Sequence, residues 1–277
     1  MLKKTFMLIL SANMLYAGFS MGKGYTVVPN QKQSTFQWPK GKKMAISLTF
    51  DDARLSQVDN CIPLLDNYEV TGTFYVLPEN LVKRTEGWQN AVNKGHEIGN
   101  HTLYHACSEN FNWSRKHSLE ETTLKQLSKQ LDSSNAIIQK ILGVKVTSFA
   151  YPCGQKYVGK GVHTKSYVPL ISKKFKTGRG WQDEDANDPI YCNLAQLNGM
   201  VMDGKSFDEI RLLIDNAKAK GKWLILAGHE VSSGGDLTTS LITLKAICEY
   251  AKDTANGIWI DNVQSISSHI KKQRDAN

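Results

Sequence analysis

Cysteine and proline are scarce in this chain of 277 residues, which contains five cysteines and seven prolines. The cysteines are widely spaced and none forms a Cys-x-x-Cys pair, so we expect neither a dense disulfide framework nor a zinc ribbon. They are Cys61, Cys107, Cys153, Cys192 and Cys248. One disulfide could form in an oxidising compartment, but the spacing does not indicate which two cysteines it would join.

Long apolar runs are missing beyond the N-terminal segment. Lys3 and Lys4 begin a stretch whose residues 5–15 are mostly apolar and whose residues 17–20 are mostly small. This order is typical of a secretory signal peptide, and the apolar part is short for a membrane span, although an uncleaved anchor is the alternative. We therefore expect export to the periplasm or the extracellular space, with no stable membrane insertion after signal cleavage.

Repeats of fixed period, low-complexity tracts and arginine-rich segments interleaved with aromatics are also absent. A nucleic-acid partner is therefore not expected. The formal charge of +8 suits an anionic polymer, although an ordinary solvated surface is the alternative. The length suits one large α/β domain. We expect a signal peptide at residues 1–20, a polar lead-in at 21–40 and a single domain at 41–277.

Strand-like and helix-like segments alternate from Met44 onward. Apolar runs predict strands at 44–50, 72–77, 96–101, 146–152, 222–230 and 258–263. Amphipathic patterns predict helices at 58–68, 86–95, 117–143, 206–221 and 238–257. In the helix at 117–143, Ser118 and Glu121 fit a capping box and Gly143 fits a C-terminal stop. Repeated βα units predict a parallel sheet with barrel-like closure, and function collects at the carboxyl ends of its strands.

Two adjacent aspartates, Asp51 and Asp52, close the first predicted strand. Two carboxylates beside a buried strand are costly without a cation, so a bound metal would explain them. One could bind the metal while the other moves protons. The alternative is a pair that caps the helix beginning near Leu55.

Histidines follow two other predicted strands. His101 and His105 are four residues apart, and this spacing predicts that both imidazoles share one face of a helical turn and bind one metal. Position 102 is Thr, so the motif does not supply the glutamate base of HExxH. His229 ends the most apolar strand, where a structural role is the usual alternative. Pro152 and Gly154 form a turn that can aim backbone N–H groups at a ligand.

Four motifs, TFDDA, HTLYH, FAYPCG and LAGHE, occur in this order along the chain. In order and spacing they resemble the motifs of the NodB-homology polysaccharide deacetylases, carbohydrate esterase family 4. The resemblance covers the chain from about Met44 to the C-terminus, and its first two motifs are the most specific. It implies an α/β fold, a distorted (β/α) barrel of about seven strands.

The resemblance also implies roles for individual residues. Asp52, His101 and His105 match the metal ligands of the family, which holds one divalent metal. Zinc is expected, with cobalt and nickel as alternatives. Asp51 matches the catalytic base and His229 the general acid. The turn residues Tyr151, Pro152 and Cys153 match the substrate and oxyanion contacts, with the Cys153 N–H as oxyanion donor.

Two positions depart from the family pattern. Many members have an arginine after the phenylalanine of the third motif, where it contacts the base, and here that position is Ala150. An aromatic commonly follows the motif's proline, and here it is Cys153. We hypothesise that Arg179 replaces the missing arginine beside Asp51 and that Trp181 walls the acetyl pocket. The alternative is that both belong to an ordinary loop.

The sequence therefore predicts an exported, metal-dependent carbohydrate deacetylase that hydrolyses N- or O-acetyl groups of an acetylated glycan. Tyr104 and Trp113 are candidates for a sugar-binding groove, with core packing as the alternative. A catalytically impaired glycan-binding protein on the same scaffold is a second hypothesis, suggested by the missing arginine. A related C–N hydrolase acting on a small amide is a third.

Overall fold

The computed structural model describes residues 36–276, which lie within one compact unit. The predicted signal peptide and most of the predicted lead-in lie outside the described residues. In the described range, none of the helices is both long enough and apolar enough to cross a membrane.

Each strand and helix predicted from the sequence is present in residues 36–276, together with further elements that the sequence pattern did not predict. The strands are β1 (Met44–Asp51), β2 (Thr73–Val76), β3 (Glu97–Asn100), β4 (Ser148–Ala150), β5 (Tyr157–Val158), β6 (Lys165–Ser166), β7 (Thr177–Arg179), β8 (Met200–Val201), β9 (Trp223–Gly228), β10 (Glu230–Ser232), β11 (Thr238–Ser240) and β12 (Ile258–Ile260). The α-helices are α1 (Ile62–Asn67), α2 (Pro78–Leu81), α3 (Thr85–Asn93), α4 (Leu124–Leu142), α5 (Val168–Lys174), α6 (Phe207–Ala219), α7 (Leu241–Lys252) and α8 (Val263–Asp275).

The central sheet is parallel and runs in the order β7-β4-β3-β2-β1-β9-β8, while β12 pairs with the first residues of β1. The segment before β8 joins the two edges of this sheet, because Leu197 pairs with Arg179 of β7 and β8 itself pairs with β9. The strands thereby curve into a distorted (β/α) barrel. The fold expected from the sequence is confirmed, with β12 as an eighth strand of the sheet.

The two faces of β1 show how the barrel is filled. Ile46, Leu48 and Phe50 belong to the large apolar cluster between the strands and the surrounding helices. The alternate residues are polar: Ser47 accepts a hydrogen bond from Trp223 Nε1 at 3.1 Å, and Thr49 donates to a backbone carbonyl of β9. These two polar side chains of β1 are therefore tolerated in the interior, because each finds a partner.

The last helix, α8, packs against the barrel. Its Val263 and Ile266 join an apolar cluster with Trp223 of β9. The carboxylate of Glu97 accepts from the Gln264 N–H at 2.8 Å, in the first turn of α8, where a negative group is favoured. The same carboxylate accepts from the Thr73 hydroxyl, which ties the helix to β2 and β3.

The longest helix begins later than the sequence pattern predicts. Helix α4 starts at Leu124, and Thr123 is its N-cap: the Thr123 hydroxyl accepts from the Gln126 N–H, and the Gln126 side chain accepts from the Thr123 N–H. The predicted capping box at Ser118 and Glu121 is therefore wrong, because those residues precede the helix in turns. The predicted stop at Gly143 is confirmed by its left-handed backbone, φ 71°.

We expect Thr123→Ala to lower the free energy of unfolding by about 1 kcal/mol, because it leaves an N–H group of the first turn without its acceptor. Urea denaturation followed by far-UV circular dichroism measures this change. Glu121→Ala is the matched control, and its effect should stay within about 0.5 kcal/mol because Glu121 is exposed. Equal losses in the two variants would contradict the observed helix start.

Candidate active site

Five parallel strands end at one rim of the barrel, and each brings a polar or turn residue there. Asp51 ends β1, His101 follows β3, Tyr151 follows β4, Arg179 ends β7 and His229 follows β9. Parallel strands have their carboxyl ends on the same side, so residues distant in sequence meet at this rim. The sequence motifs are thus collected by the sheet.

A cavity of about 740 Å³ opens at this rim. Its lining includes both aspartates, both motif histidines, Cys153, Trp181 and His229. A larger cavity of about 920 Å³ lies between residues of α5 and α8 and contains none of these groups. The smaller cavity is therefore the candidate active site.

The two aspartates do not cap a helix. Asp52 (φ 77°) and Ala53 (φ 54°) have left-handed backbones, and the following helical segment begins at Leu55, beyond both aspartates. The Asp52 N–H donates to the Tyr75 carbonyl of β2, and the Asn80 side chain donates to the Asp52 carbonyl. A left-handed backbone is costly for alanine, and such strain persists where the surroundings fix it. The turn aims the Asp52 side chain into the cavity.

The side chains of His101 and His105 lie close together, but residues 101–105 do not form the predicted helical turn. Thr102 (φ 68°) and His105 (φ 51°) have left-handed backbones, so the chain from 101 to 105 folds as an irregular loop. The two imidazole centroids are 4.8 Å apart. The predicted proximity is present and the predicted helical geometry is wrong, because left-handed residues, not a helix, bring the rings together.

Asp52 and the two imidazoles converge on one point. Asp52 Oδ1 lies 3.5 Å from His101 Nε2 and 3.4 Å from His105 Nε2. This buried oxygen has no hydrogen-bond partner among residues 36–276. The other carboxylate oxygen, Oδ2, accepts from Arg54 Nη2 at 2.9 Å. Arg54 therefore holds one oxygen of Asp52 and leaves the other facing both imidazole nitrogens.

Both imidazoles are neutral in this environment. The Ala150 carbonyl lies 3.0 Å from His101 Nδ1, and because a carbonyl only accepts, Nδ1 carries the hydrogen and Nε2 keeps its lone pair. Burial lowers the pKa of His101. Burial and the neighbouring His101 together lower the pKa of His105 to about 4. Neutral imidazole is the form that binds metals.

These three residues fit a divalent metal. Their ligand atoms lie within 4.8 Å of one another, and each offers a lone pair. Facing lone pairs in a buried site are unfavourable unless a cation is shared among them. Two imidazoles and one carboxylate form a ligand set that zinc accepts, with a position left open. Cobalt and nickel also suit this set, so the ligands do not select the metal.

Asp51 contacts a buried arginine on its other side. Arg179 Nη2 donates to Asp51 Oδ1, Arg179 Nη1 donates to the Gly180 carbonyl at 2.8 Å, and the guanidinium lies 4.9 Å from the Tyr75 ring. In the sheet, Arg179 of β7 pairs with Ala150 of β4. The guanidinium expected after the phenylalanine of the third motif therefore comes from the paired residue of the adjacent strand.

His229 is oriented by an aspartate that the sequence analysis missed. The Nδ1 atom of His229 lies 2.7 Å from Asp203 Oδ2, so Nδ1–H donates to the carboxylate and Nε2 is left to exchange a proton. Burial alone would lower the pKa of His229, but the hydrogen bond to Asp203 and the charges of Asp51 and Asp52 outweigh it and raise the pKa. Asp203 follows β8, and an acidic residue just past a strand end was the available signal.

Gln57 was also missed. Its Nε2 donates to the Asp51 carbonyl at 2.6 Å and to the His229 carbonyl at 2.9 Å. This buried side chain thus ties together the ends of β1 and β9, and with them Asp51 and His229. A buried polar residue one turn into a helix carries no distinctive sequence signal.

The turn after β4 places its residues differently around the cavity. Cys153 lines the cavity with a left-handed backbone, φ 54°. Tyr151 and Pro152 are buried outside the lining: the Tyr151 ring packs against Phe149, and its hydroxyl donates to the Ala195 carbonyl. The substrate contact expected of these two residues stays a prediction.

Cys153 is disulfide-bonded to Cys107, 46 residues earlier, with Cα atoms 6.1 Å apart. The sequence left this pairing open. Cys107 is buried, and the disulfide joins it covalently to the turn that follows β4. Neither sulfur is then a thiolate ligand.

Aromatic side chains border the cavity. The Trp181 ring packs edge-on against His229 at 4.8 Å, as the wall of a pocket would. Tyr104, Phe111 and Trp113 also line the cavity and are 41–60% exposed, with Phe111 and Trp113 stacked on each other. Core packing, the alternative for Tyr104 and Trp113, is excluded by this exposure.

Residues 39–166 match the family described as polysaccharide deacetylase. The peptidoglycan-N-acetylmuramic acid deacetylase PdaC of Bacillus subtilis (strain 168) is 30% identical over 136 residues, which cover 49% of this chain and 24% of that protein. The peptidoglycan-N-acetylmuramic acid deacetylase PdaA of the same organism is 27% identical over 123 residues, which cover 44% of this chain and 43% of that protein. The predicted resemblance to the polysaccharide deacetylase family is therefore confirmed over residues 39–166.

Solved structures agree on the fold. PdaC of Bacillus subtilis superposes with a TM-score of 0.51 at 20% identity, covering 86% of this chain and 96% of that chain. A family 4 acetyl xylan esterase from Clostridium thermocellum, solved in complex with a cobalt ion, superposes with a TM-score of 0.53 at 21% identity, covering 81% and 90%. The sequence matches span less than half the length of the curated relatives PdaC and PdaA.

We expect His105→Ala to weaken zinc binding by more than about 100-fold, because it removes a metal ligand. Loss of a residue that only supports a ligand typically weakens metal affinity by up to about 100-fold. Isothermal titration calorimetry of the metal-free protein at pH 7 measures the affinity. His117→Ala is the control, since His117 stacks on Tyr104 outside the ligand set and should bind zinc like the parent. Unchanged affinity in the His105 variant would remove this residue from the ligand set.

Proposed function

We propose that this protein is an exported, metal-dependent deacetylase that hydrolyses N- or O-acetyl groups of a glycan. One observation carries the proposal: Asp52 Oδ1, which has no hydrogen-bond partner among the described residues, faces two neutral imidazoles. The carboxylate of Asp51 lies on one side of this group, and the imidazole of His229, hydrogen-bonded to Asp203, lies on the other. A site that only bound sugar would need neither a proton acceptor nor a proton donor beside the ligand set.

Asp52, His101 and His105 would hold the metal. When bound, zinc lowers the pKa of a coordinated water and polarises the acetyl carbonyl. Asp51 Oδ2 lies 3.9 Å from His101 Nε2, beside the ligand set, while Oδ1 is engaged by Arg179. Asp51 can therefore accept the proton of the attacking water at Oδ2, with Arg179 fixing the orientation of the carboxylate.

The remaining proton transfer belongs to His229. Asp203 raises the pKa of this imidazole and holds its Nδ1, so that the protonated Nε2 can donate to the departing amine or alkoxide. The Cys153 N–H, at the cavity wall, is the candidate donor to the oxyanion of the tetrahedral intermediate. Trp181 packs on the acid and excludes water from one side of the pocket.

The half-exposed aromatics support a sugar substrate. Tyr104, Phe111 and Trp113 border the cavity and present ring faces and edges to solvent. Exposed aromatic rings next to a catalytic cavity suit the apolar faces of sugar rings. A small amide would not need this surface, so the C–N hydrolase alternative is less well supported. The names of the relatives PdaC and PdaA make peptidoglycan one candidate glycan.

The disulfide supports export. Disulfides persist in oxidising compartments and are rare in the reducing cytosol. The Cys107–Cys153 bond and the signal-like N-terminal segment therefore point to the same location.

Acetate release from acetylated xylan, chitin oligomers, peptidoglycan and poly-N-acetylglucosamine tests the function. We expect release from at least one glycan, its loss after chelation and its return with added zinc.

Asp51→Asn should reduce kcat by about 100- to 10,000-fold while zinc affinity stays near that of the parent, since only the proton acceptor is lost. Stoichiometric zinc and glycan binding with no acetate release from any substrate would favour the impaired glycan-binding protein.

The pH profile tests the assignment of His229. This residue must be protonated to donate, so activity is lost as the pH rises through its raised pKa. Asp203→Asn removes the anionic hydrogen-bond acceptor that contributes to the raised pKa of His229, so the alkaline limb of the kcat profile should move to lower pH. The acidic limb should stay in place. An unmoved alkaline limb would assign it to a group other than His229.

A further inference from the structure

The Cys107–Cys153 disulfide joins the two loops on which the proposed chemistry depends. Cys107 lies two residues after His105, in the loop that follows β3, and Cys153 lies in the turn that follows β4. One loop carries two of the metal ligands and the other carries the candidate oxyanion donor. The bond therefore links the position of His105 to that of the Cys153 N–H.

Both loops have conformations that need external support. His105 (φ 51°) and Cys153 (φ 54°) are non-glycine residues in the left-handed region, which costs free energy unless surrounding contacts fix it. Neither residue lies in an α-helix or a β-strand. A further connection between the loops is the hydrogen bond from the Ser108 N–H to Gln155 Oε1, at 2.8 Å. The disulfide is the covalent connection beside it.

The two metal-site histidines are supported differently. His101 Nδ1 donates to the Ala150 carbonyl at 3.0 Å, which fixes its ring. His105 Nδ1 faces Cys107 Sγ at 3.7 Å, and the Trp113 ring lies 5.4 Å away. A sulfur is a weak acceptor, so the orientation of His105 depends more on the covalent frame than on a strong hydrogen bond.

Resting on the proposed function, we propose that the Cys107–Cys153 disulfide is a positioning element of the active site, which holds His105 for metal binding and the Cys153 N–H for the oxyanion. The site is therefore redox-sensitive, because reduction of the S–S bond removes this support. A dithiol supplies two electrons and two protons, the S–S bond breaks into two thiols, and the dithiol becomes a cyclic disulfide. The folded barrel then keeps its sheet while the two loops separate.

The double variant Cys107→Ala with Cys153→Ala tests this directly, because it removes the bond without leaving thiols that could bind zinc. Outer supports of metal ligands are typically worth 10- to 100-fold in affinity or activity, so we expect zinc binding to weaken by about that factor. We expect kcat to fall in the same range, because the bond holds both His105 and the Cys153 N–H. Calorimetry measures zinc affinity without any substrate.

Reduction of the parent protein is a reversible way to break the same disulfide. Treatment with dithiothreitol should release two thiols in a thiol titration and lower kcat, and reoxidation should restore it. The double variant should not respond to the same treatment. Cys192→Ser is the matched cysteine control, since Cys192 lies far from the cavity lining and is not disulfide-bonded within the described residues. It should keep the zinc affinity of the parent.

A purely structural disulfide gives a different result. It would lower the melting temperature of the double variant while zinc affinity and kcat, measured well below that temperature, stayed at parental values. That outcome would overturn the proposal. Failure of the proposed function can be told apart from failure of this proposal, because the zinc titration needs no glycan. If no variant released acetate, the disulfide proposal would still be tested by the difference in zinc affinity between the parent and the double variant.

Discussion

The active-site rim depends on one buried oxygen, Asp52 Oδ1, which faces two neutral imidazoles without a hydrogen-bond partner among the described residues. Three lone pairs directed at one point are unfavourable unless a cation joins them, and this constraint is the basis of the proposed metal site. Left-handed backbones at Asp52, Thr102 and His105 are the local cost of this arrangement. Arg54 limits Asp52 to one free oxygen, and the Ala150 carbonyl fixes the tautomer of His101.

The arginine beside Asp51 shows how a parallel sheet can preserve a contact while its source changes. Ala150 and Arg179 are paired across β4 and β7, so the two positions are separated by a single strand spacing. A long side chain from either strand reaches the same carboxylate. The barrel closure matters here, because Leu197 pairs with Arg179 and holds β7 against the segment before β8. The departure at Ala150 therefore does not leave Asp51 without a cationic partner.

Much of the fold could be predicted because its signals are local. The apolar run of β1 and the amphipathic pattern of α4 predict those elements, and the repetition of such units predicts a parallel barrel. Local signals were ambiguous at the start of α4: residues 118–121 and 123–126 both fit a capping box in the sequence, and the helix begins after Thr123. The spacing of His101 and His105 suited a helix, but the loop is shaped by contacts with neighbouring strands.

The sequence by itself determined the strand–helix alternation, the residue types at the strand ends and the motif order, because each depends on neighbours in the chain. Only the tertiary structure decided which of these residues meet. Asp203 reaches His229 across 26 residues, Cys107 reaches Cys153 across 46, and Arg179 reaches Asp51 across 128. Such contacts arise from strand order and register in the closed sheet, which no local pattern encodes. The physical reason is that a parallel sheet brings the carboxyl ends of distant strands to one rim.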